Sequence, residues 1–282
     1  MAKKLTIDDL VAMKNAGKKI AAISCYDFTT AALMEKAGID MLLVGDSAAE
    51  IMLGYDSTLG ITMDFMVTIT SAVRRAATNT CVVADMPYMS YQASKTEAIK
   101  NAARFITESR ADIVKIEVSS AQVDIIKAVS DADVPVMGHI GLRPQSVAKY
   151  GRLKAQGTTA EGAFELVTLA DRVVEAGASF LLIEGTAREV AKIITERVSV
   201  PVISCGAGPD CDGQILVISD ILGLTQGKAP KFAKNFANLS EEVLKAAKIY
   251  KNSVKKCEFP EDAHSYHIFA NHCKKLHEFL KF

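Results

Sequence analysis

The chain has 282 residues, 49% of them hydrophobic, with 33 Lys and Arg against 33 Asp and Glu. That length suits one (β/α)8 barrel, roughly 200 to 400 residues, and the balanced charge argues against both a nucleic-acid binder and an acidic disordered tail. No apolar run reaches the roughly 18 to 20 residues that cross a membrane, and Met1-Ala2-Lys3-Lys4-Leu5 lacks the apolar stretch of a signal peptide, so a soluble, intracellular protein is expected.

Thr6-Ile7-Asp8-Asp9 opens a helix, with Thr6 as N-cap and acids in the first turn, and Gly17 ends it. Residues 20–25 form the first strand and residues 29–36 a helix stopped by Gly38. The second strand, residues 39–44, is almost wholly apolar, as in a parallel sheet covered on both faces, and Asp46 follows where it stops. The loop 47–60, carrying Tyr55-Asp56-Ser57-Thr58, is long enough to be functional and would cover the C-terminal face. A helix over 64–77 leads to the third strand, which ends at Asp85-Met86-Pro87. Thr96 caps a helix over 97–109, the fourth strand ends at Glu117, and a helix follows over 121–129.

The fifth strand spans 134–139 and ends at His139. A second long loop, 141–159, carries Arg143, Gln145, Lys149, Arg152 and Lys154. After a helix over 161–176, the sixth strand ends at Glu184, a helix spans 188–197, and residues 200–205 form the seventh strand. Residues 214–222 are apolar, but their period does not separate strand from helix. From Ser240 the chain reads as helix with an irregular tail containing histidines. Alternating strands and helices give a parallel sheet. With no Gly-x-Gly-x-x-Gly after the first strand, a closed barrel is favoured over a doubly wound dinucleotide fold. The expected organisation is one domain over 1–282, a barrel with an N-terminal helix and a C-terminal helical tail.

Ends of parallel strands are where such folds put their chemistry. Asp46, Asp85 and Glu117 end neighbouring strands, and carboxylates gathered in one mouth need either raised pKa values or a divalent cation. An all-oxygen set suits Mg²⁺, although each acid alone could be a helix cap. Lys115, two residues before Glu117, shares its side of the strand and is either a structural ion-pair partner or a clamp for a substrate anion. His139 can serve as base, donor or satisfied core histidine, with the core role the commoner. Glu184 follows Leu181-Leu182-Ile183, so desolvation should raise its pKa and suit it to a general base. A metal polarising a carbonyl, a base removing the adjacent proton and a cation-stabilised enolate make a coherent chemistry. Histidines 264, 267, 272 and 277 match no zinc spacing, and the six cysteines form no Cys-x-x-Cys pair, so a solvated tail and buried thiols are expected.

Val44-Gly45-Asp46-Ser47, Gly54-Tyr55-Asp56-Ser57-Thr58-Leu59, Val83-Ala84-Asp85-Met86-Pro87, Val114-Lys115-Ile116-Glu117, Gly138-His139-Ile140-Gly141-Leu142-Arg143-Pro144-Gln145, Cys205-Gly206-Ala207-Gly208 and Asp212-Gly213-Gln214-Ile215 resemble, in this order, the ketopantoate (3-methyl-2-oxobutanoate) hydroxymethyltransferase family. The likeness extends through Pro230-Lys231-Phe232 and Glu261-Asp262-Ala263-His264, over nearly the whole chain. It implies a (β/α)8 barrel related to the phosphoenolpyruvate mutase and isocitrate lyase group. It also implies Mg²⁺, 5,10-methylenetetrahydrofolate as one-carbon donor and 3-methyl-2-oxobutanoate as acceptor, giving 2-dehydropantoate on the way to pantothenate. By this resemblance Asp46, Asp85 and Glu117 correspond to the metal site, and Asp46, Ser47, Asp85 and Lys115 to the oxo-acid site. Glu184 corresponds to the base and His139 to an active-site histidine. The family implies a cytoplasmic homo-oligomer, typically a decamer, with no nucleic-acid or membrane partner.

The chain departs from the family pattern at Glu50, Gly60, Val118-Ser119, Arg143 and Thr158, all in mouth loops. Two competing readings follow: a Mg²⁺-dependent lyase or aldolase acting on another 2-oxo acid, and a non-catalytic assembly protein on the same barrel.

Overall fold

A computed structural model describes residues 4–151, 154–227 and 229–280. Their contacts divide into two units, the described residues up to Ile221 with Thr225–Asn235, and Leu222–Leu224 with the described residues from Phe236.

The first unit opens with α1 (Ile7–Asn15), set by a reciprocal cap: Asp9 N–H donates to Thr6 Oγ1 at 3.2 Å and Thr6 N–H donates to the Asp9 carboxylate at 3.0 Å. There follow β1 (Ile20–Ser24), α2 (Phe28–Lys36), β2 (Met41–Val44), α3 (Ala48–Ile51), α4 (Met63–Ala76), β3 (Cys81–Asp85), α5 (Lys95–Thr107), β4 (Ile113–Glu117) and α6 (Val123–Ser130). Next come β5 (Val136–Gly141), α7 (Val147–Tyr150), α8 (Ala160–Glu175), β6 (Phe180–Glu184), α9 (Arg188–Arg197), β7 (Val202–Cys205), β8 (Gly213–Val217) and α10 (Ile218–Leu222). The strands pair in parallel in sequence order, and β8 returns to β1 with Ile20 opposite Gly213, so the barrel is closed.

Inward-facing residues recur every second position along each strand. Near the N-terminal ends these are Ile20, Met41, Cys81, Ile113, Phe180 and Ile203, one continuous apolar cluster. Leu10 of α1 joins that cluster, with Ile7 and Met13 against it, so the N-terminal helix plugs the bottom of the barrel. Continuing the same alternation upward brings Asp85, Lys115, Glu117, His139 and Glu184 to the inner wall at the C-terminal ends.

The structure revises the expected elements in a few places. Ser94, not Thr96, caps the fifth helix: Glu97 N–H donates to Ser94 Oγ at 3.1 Å, and the helix begins at Lys95. The ambiguous run 214–222 is both things in turn, β8 up to Val217 and α10 from Ile218. The two long loops are partly helical, with α3 and a 3-10 turn at Thr58–Gly60 in the first, and a 3-10 turn at Pro144–Ser146 followed by α7 in the second. Arg152, expected in the second loop, lies outside the described residues.

The second unit holds α11 (Leu239–Lys255) and α12 (Ala270–Leu280). Within it Tyr250 meets Phe259 edge-on at 5.8 Å between ring centroids, and Phe259 lies 5.3 Å from His264. No helix among the described residues is long and apolar enough to cross a membrane. The six cysteines are free thiols.

Candidate active site

A cavity of about 370 Å³ opens at the C-terminal ends of the strands. Asp46, Ser47, Asp85, Lys115, Glu117, His139 and Glu184, which the sequence singles out, all line it. Arg143, Lys149 and Lys154 do not, although they come from the loop beside it. Histidines 264, 267 and 277 are exposed in the second unit.

The β3–β4 register sets Asp85 directly opposite Lys115, and the two form an ion pair at 2.7 Å between Oδ1 and Nζ. Asp85 is 1% exposed and Lys115 4%, so this pair sits in low dielectric. Burial pushes the Asp85 carboxyl up, against the pull of the ammonium, with Asp46 adding repulsion. Burial alone would lower Lys115, but the charges of Asp85, Asp46 and Glu117 outweigh it and hold the ammonium protonated. Of the two roles open to Lys115, the ion-pair partner is the one this geometry displays.

His139 spans the wall between that pair and Glu184. Its Nδ1 lies 3.3 Å from Lys115 Nζ and its Nε2 lies 3.4 Å from Glu184 Oε2. An ammonium can only donate, so Nδ1 accepts and Nε2 carries the proton that faces Glu184. Burial, followed by the Lys115 charge, holds the imidazole well below its usual pKa, and it stays neutral. Nε2 makes no hydrogen bond of good geometry, which leaves it free to tighten on Glu184 or on a bound molecule. His139 is therefore more than a satisfied core histidine. Burial raises Glu184 to about 7, opposed by Lys115 and assisted by Asp46. A carboxylate that titrates at neutrality is suited to moving protons in both directions.

Asp46 and Glu117 are held by one residue that sequence reasoning left as an ordinary loop polar. Gln145 is 3% exposed; its side-chain amide donates to Asp46 Oδ2 at 2.9 Å, and its backbone N–H reaches both Glu117 oxygens at 3.2 Å. Burial pushes Glu117 well above the usual carboxylate range. Ser47 Oγ pairs with Tyr26 Oη at 2.7 Å. Glu50, from the loop expected over this face, and Cys205, at the end of the seventh strand, also line the cavity, as does Asp220, which the ambiguous run 214–222 did not announce.

Among the described residues, no group of three or more His, Cys, Asp or Glu side chains is placed to hold a metal ion. Asp46, Asp85 and Glu117 thus share the cavity without forming the expected three-carboxylate cluster. Lys115 takes Asp85 Oδ1, the Asp46 N–H donates to Asp85 Oδ2 at 3.0 Å, and Glu117 is turned onto the Gln145 N–H. The lining nevertheless fits a hard cation. Asp46, Glu50, Asp85, Glu117, Glu184 and Asp220 line the cavity with one ammonium, Lys115, and a neutral imidazole, so carboxyl groups outnumber cations there. Mg²⁺ takes few protein carboxylates and completes its shell with water or substrate oxygens.

The strand end that carries Glu184 depends on a glycine. Gly141 has φ +88° and sits opposite Glu184; a Cβ there would run into the Glu184 carbonyl oxygen and lie 2.5 Å from Thr186 Oγ1. Gly141→Ala is expected to destabilise the protein by about 2 kcal/mol or more. Equilibrium denaturation checks this, and a loss under about 0.5 kcal/mol, the level of an ordinary surface change, would contradict it.

The sequence model of the ketopantoate hydroxymethyltransferase family matches residues 4–262. Among curated relatives, the chain is 46% identical over 265 residues to the 3-methyl-2-oxobutanoate hydroxymethyltransferase of Syntrophomonas wolfei, covering 94% of this chain and 96% of that protein. It is 45% identical over 273 residues to the protein of the same name from Nitrosopumilus maritimus, covering 97% and 98%. Solved structures with the same fold include 2,3-dimethylmalate lyase, a member of the phosphoenolpyruvate mutase and isocitrate lyase superfamily, at TM-score 0.60 and 18% identity over 93% of this chain and 92% of that one. Phosphonopyruvate hydrolase in complex with oxalate and Mg²⁺ aligns at TM-score 0.61 and 13% identity, over 98% and 95%.

Proposed function

The chain belongs to the ketopantoate hydroxymethyltransferase family, and we propose that this barrel mouth transfers a hydroxymethyl group from 5,10-methylenetetrahydrofolate to 3-methyl-2-oxobutanoate with Mg²⁺ bound. The observation that carries the reading is Glu184, a half-buried carboxylate whose desolvation brings it to about 7, in the same cavity as the Asp85–Lys115 pair. Asp46 and Asp85 are the residues that would hold Mg²⁺, with Glu117 the third acid of the same cavity. The metal, when bound, supplies Lewis acidity to the carboxylate and keto oxygens of the oxo acid. The fold relative crystallised with oxalate and Mg²⁺ supports pairing this ion with a small carboxylate ligand.

The chain's own groups do the rest. Lys115 offsets the remaining negative charge of the substrate. Leu43, Leu182 and Ile215 line the cavity and suit the branched alkyl end of the acceptor. Glu184 takes the C3 proton, C3 forms a bond to the methylene carbon carried by folate, and water supplies the hydroxyl oxygen as both C–N bonds of that carbon break and the folate nitrogens take up the protons, leaving tetrahydrofolate and 2-dehydropantoate. His139 donates its Nε2–H toward Glu184 and keeps the carboxylate turned to C3. The family likeness supports a cytoplasmic homo-oligomer.

Incubating the protein with 3-methyl-2-oxobutanoate, Mg²⁺ and methylenetetrahydrofolate should yield 2-dehydropantoate by NMR. Absence of product, with enolisation of a different 2-oxo acid, would transfer the chemistry to a lyase or aldolase. Asp85→Ala is expected to raise the Mg²⁺ concentration needed for half-maximal activity by at least ~10-fold. An unchanged requirement would remove Asp85 from the metal site.

A further inference from the structure

We infer that Gln145 is the positioning residue of this site: it fixes the two carboxylates that arrive from different strands, Asp46 after β2 and Glu117 at the end of β4. The inference rests on the Mg²⁺ reading above.

The orientation of its amide is determined by its neighbours. Tyr91 Oη donates to Gln145 Oε1 at 2.7 Å, and Gln92 Nε2 lies 3.3 Å from the same oxygen. On the other side, Nε2 faces Asp46 Oδ2 and the Met86 carbonyl oxygen, each at 2.9 Å. A carbonyl oxygen cannot donate, so the nitrogen must face Met86, and the amide cannot be turned over. Both amide hydrogens are thereby spent, one on the backbone after β3 and one on Asp46. The residue's own N–H, in the turn Pro144–Ser146, reaches both oxygens of Glu117 at 3.2 Å.

One buried residue therefore ties Asp46 to Glu117 and to the backbone beyond Asp85. It satisfies one oxygen of Asp46 with a neutral donor. Without that side chain Asp46 would lose the amide donor on its Oδ2 beside Glu117, an acid of like charge, while the backbone N–H would still reach Glu117. Such a contact keeps the acids poised for a cation that would otherwise have to reorder them on arrival. Tyr91 is the outer support, since its hydroxyl holds the amide oxygen on the side away from Asp46.

The test compares wild type, Gln145→Met and Tyr91→Phe. Met keeps the length of the side chain and removes its donors. Mg²⁺ binding is measured by titration calorimetry with the metal ion alone, thermal midpoints are recorded in its absence, and KM and kcat are taken for the oxo acid. Gln145→Met is expected to bind Mg²⁺ ~10- to 100-fold more weakly, with Tyr91→Phe between it and wild type. KM for the oxo acid should rise in the same order. A residue that only fills space would lower the thermal midpoint and leave the Mg²⁺ affinity of the folded protein unchanged. Affinity and KM within twofold of wild type in Gln145→Met would overturn the inference while leaving the Mg²⁺ reading intact. If Gln145→Met does not fold, Tyr91→Phe decides by the same measure. If wild type itself takes up no Mg²⁺, the reading and the inference fall together.

Discussion

Glu184→Gln should stop hydrogen exchange at C3 of 3-methyl-2-oxobutanoate while leaving binding of the oxo acid largely intact. Gln has the same shape but cannot take a proton, and positioned general bases contribute roughly 100- to 10,000-fold. Deuterium wash-in followed by proton NMR reads the effect directly. Exchange at the wild-type rate would refute the assignment of the base. The wild-type rate has a pH dependence with a fixed sign. Glu184 must be ionised to act, and burial places it at about 7. Exchange should therefore fall about tenfold per pH unit below neutrality and level off above it. The same shift acts on stability in the metal-free protein. Glu184 binds its proton more tightly folded, at about 7, than at its ordinary value of 4.5. Folded protein therefore holds more protons than unfolded protein between those values, and this group lowers stability as pH rises through that window. At pH 8 the Gln variant should melt above wild type, and the gap should close as the pH falls toward 4.5.

Lys115→Met carries the second large effect. It removes the ammonium 2.7 Å from Asp85 and leaves a carboxyl that is 1% exposed with no counter-charge. Breaking a buried pair from one side typically costs about 3–5 kcal/mol, whereas replacing both partners can be nearly neutral. Chemical denaturation should show that loss in the single variant and recover most of it in Lys115→Met with Asp85→Asn. Equal instability of single and double variants would mean that the pair contributes nothing beyond packing. Activity should not return in the double variant, because both the clamp proposed for the substrate anion and one of the acids proposed for Mg²⁺ are gone. The separation of recovered stability from lost activity distinguishes a functional ion pair from a structural one.

The acids at the strand ends were legible because two periodicities agree. Apolar runs in a βα alternation dictate a parallel barrel, and the two-residue period along each strand turns Lys115 to the same wall as Glu117. The eighth strand resisted because β8 passes into α10 between Val217 and Ile218 with no break in hydrophobicity, and a mixed segment has no single period. Ser94 and Thr96 are both chemically able caps, and only the path of the backbone chose between them.

The amino-acid sequence, through period and strand-end chemistry, determined the barrel and four of the acids that face its mouth, Asp46, Asp85, Glu117 and Glu184. Which partner each acid has was decided by the tertiary structure. Register put Asp85 against Lys115, and the side-by-side pairing of β4, β5 and β6 brought His139 between Lys115 and Glu184. Gln145 became a buried anchor because residues 46, 86, 91 and 117, from separate segments, converge on it. A hydrogen bond spanning 99 positions leaves no local pattern in the chain, since its geometry exists only once the strands have closed.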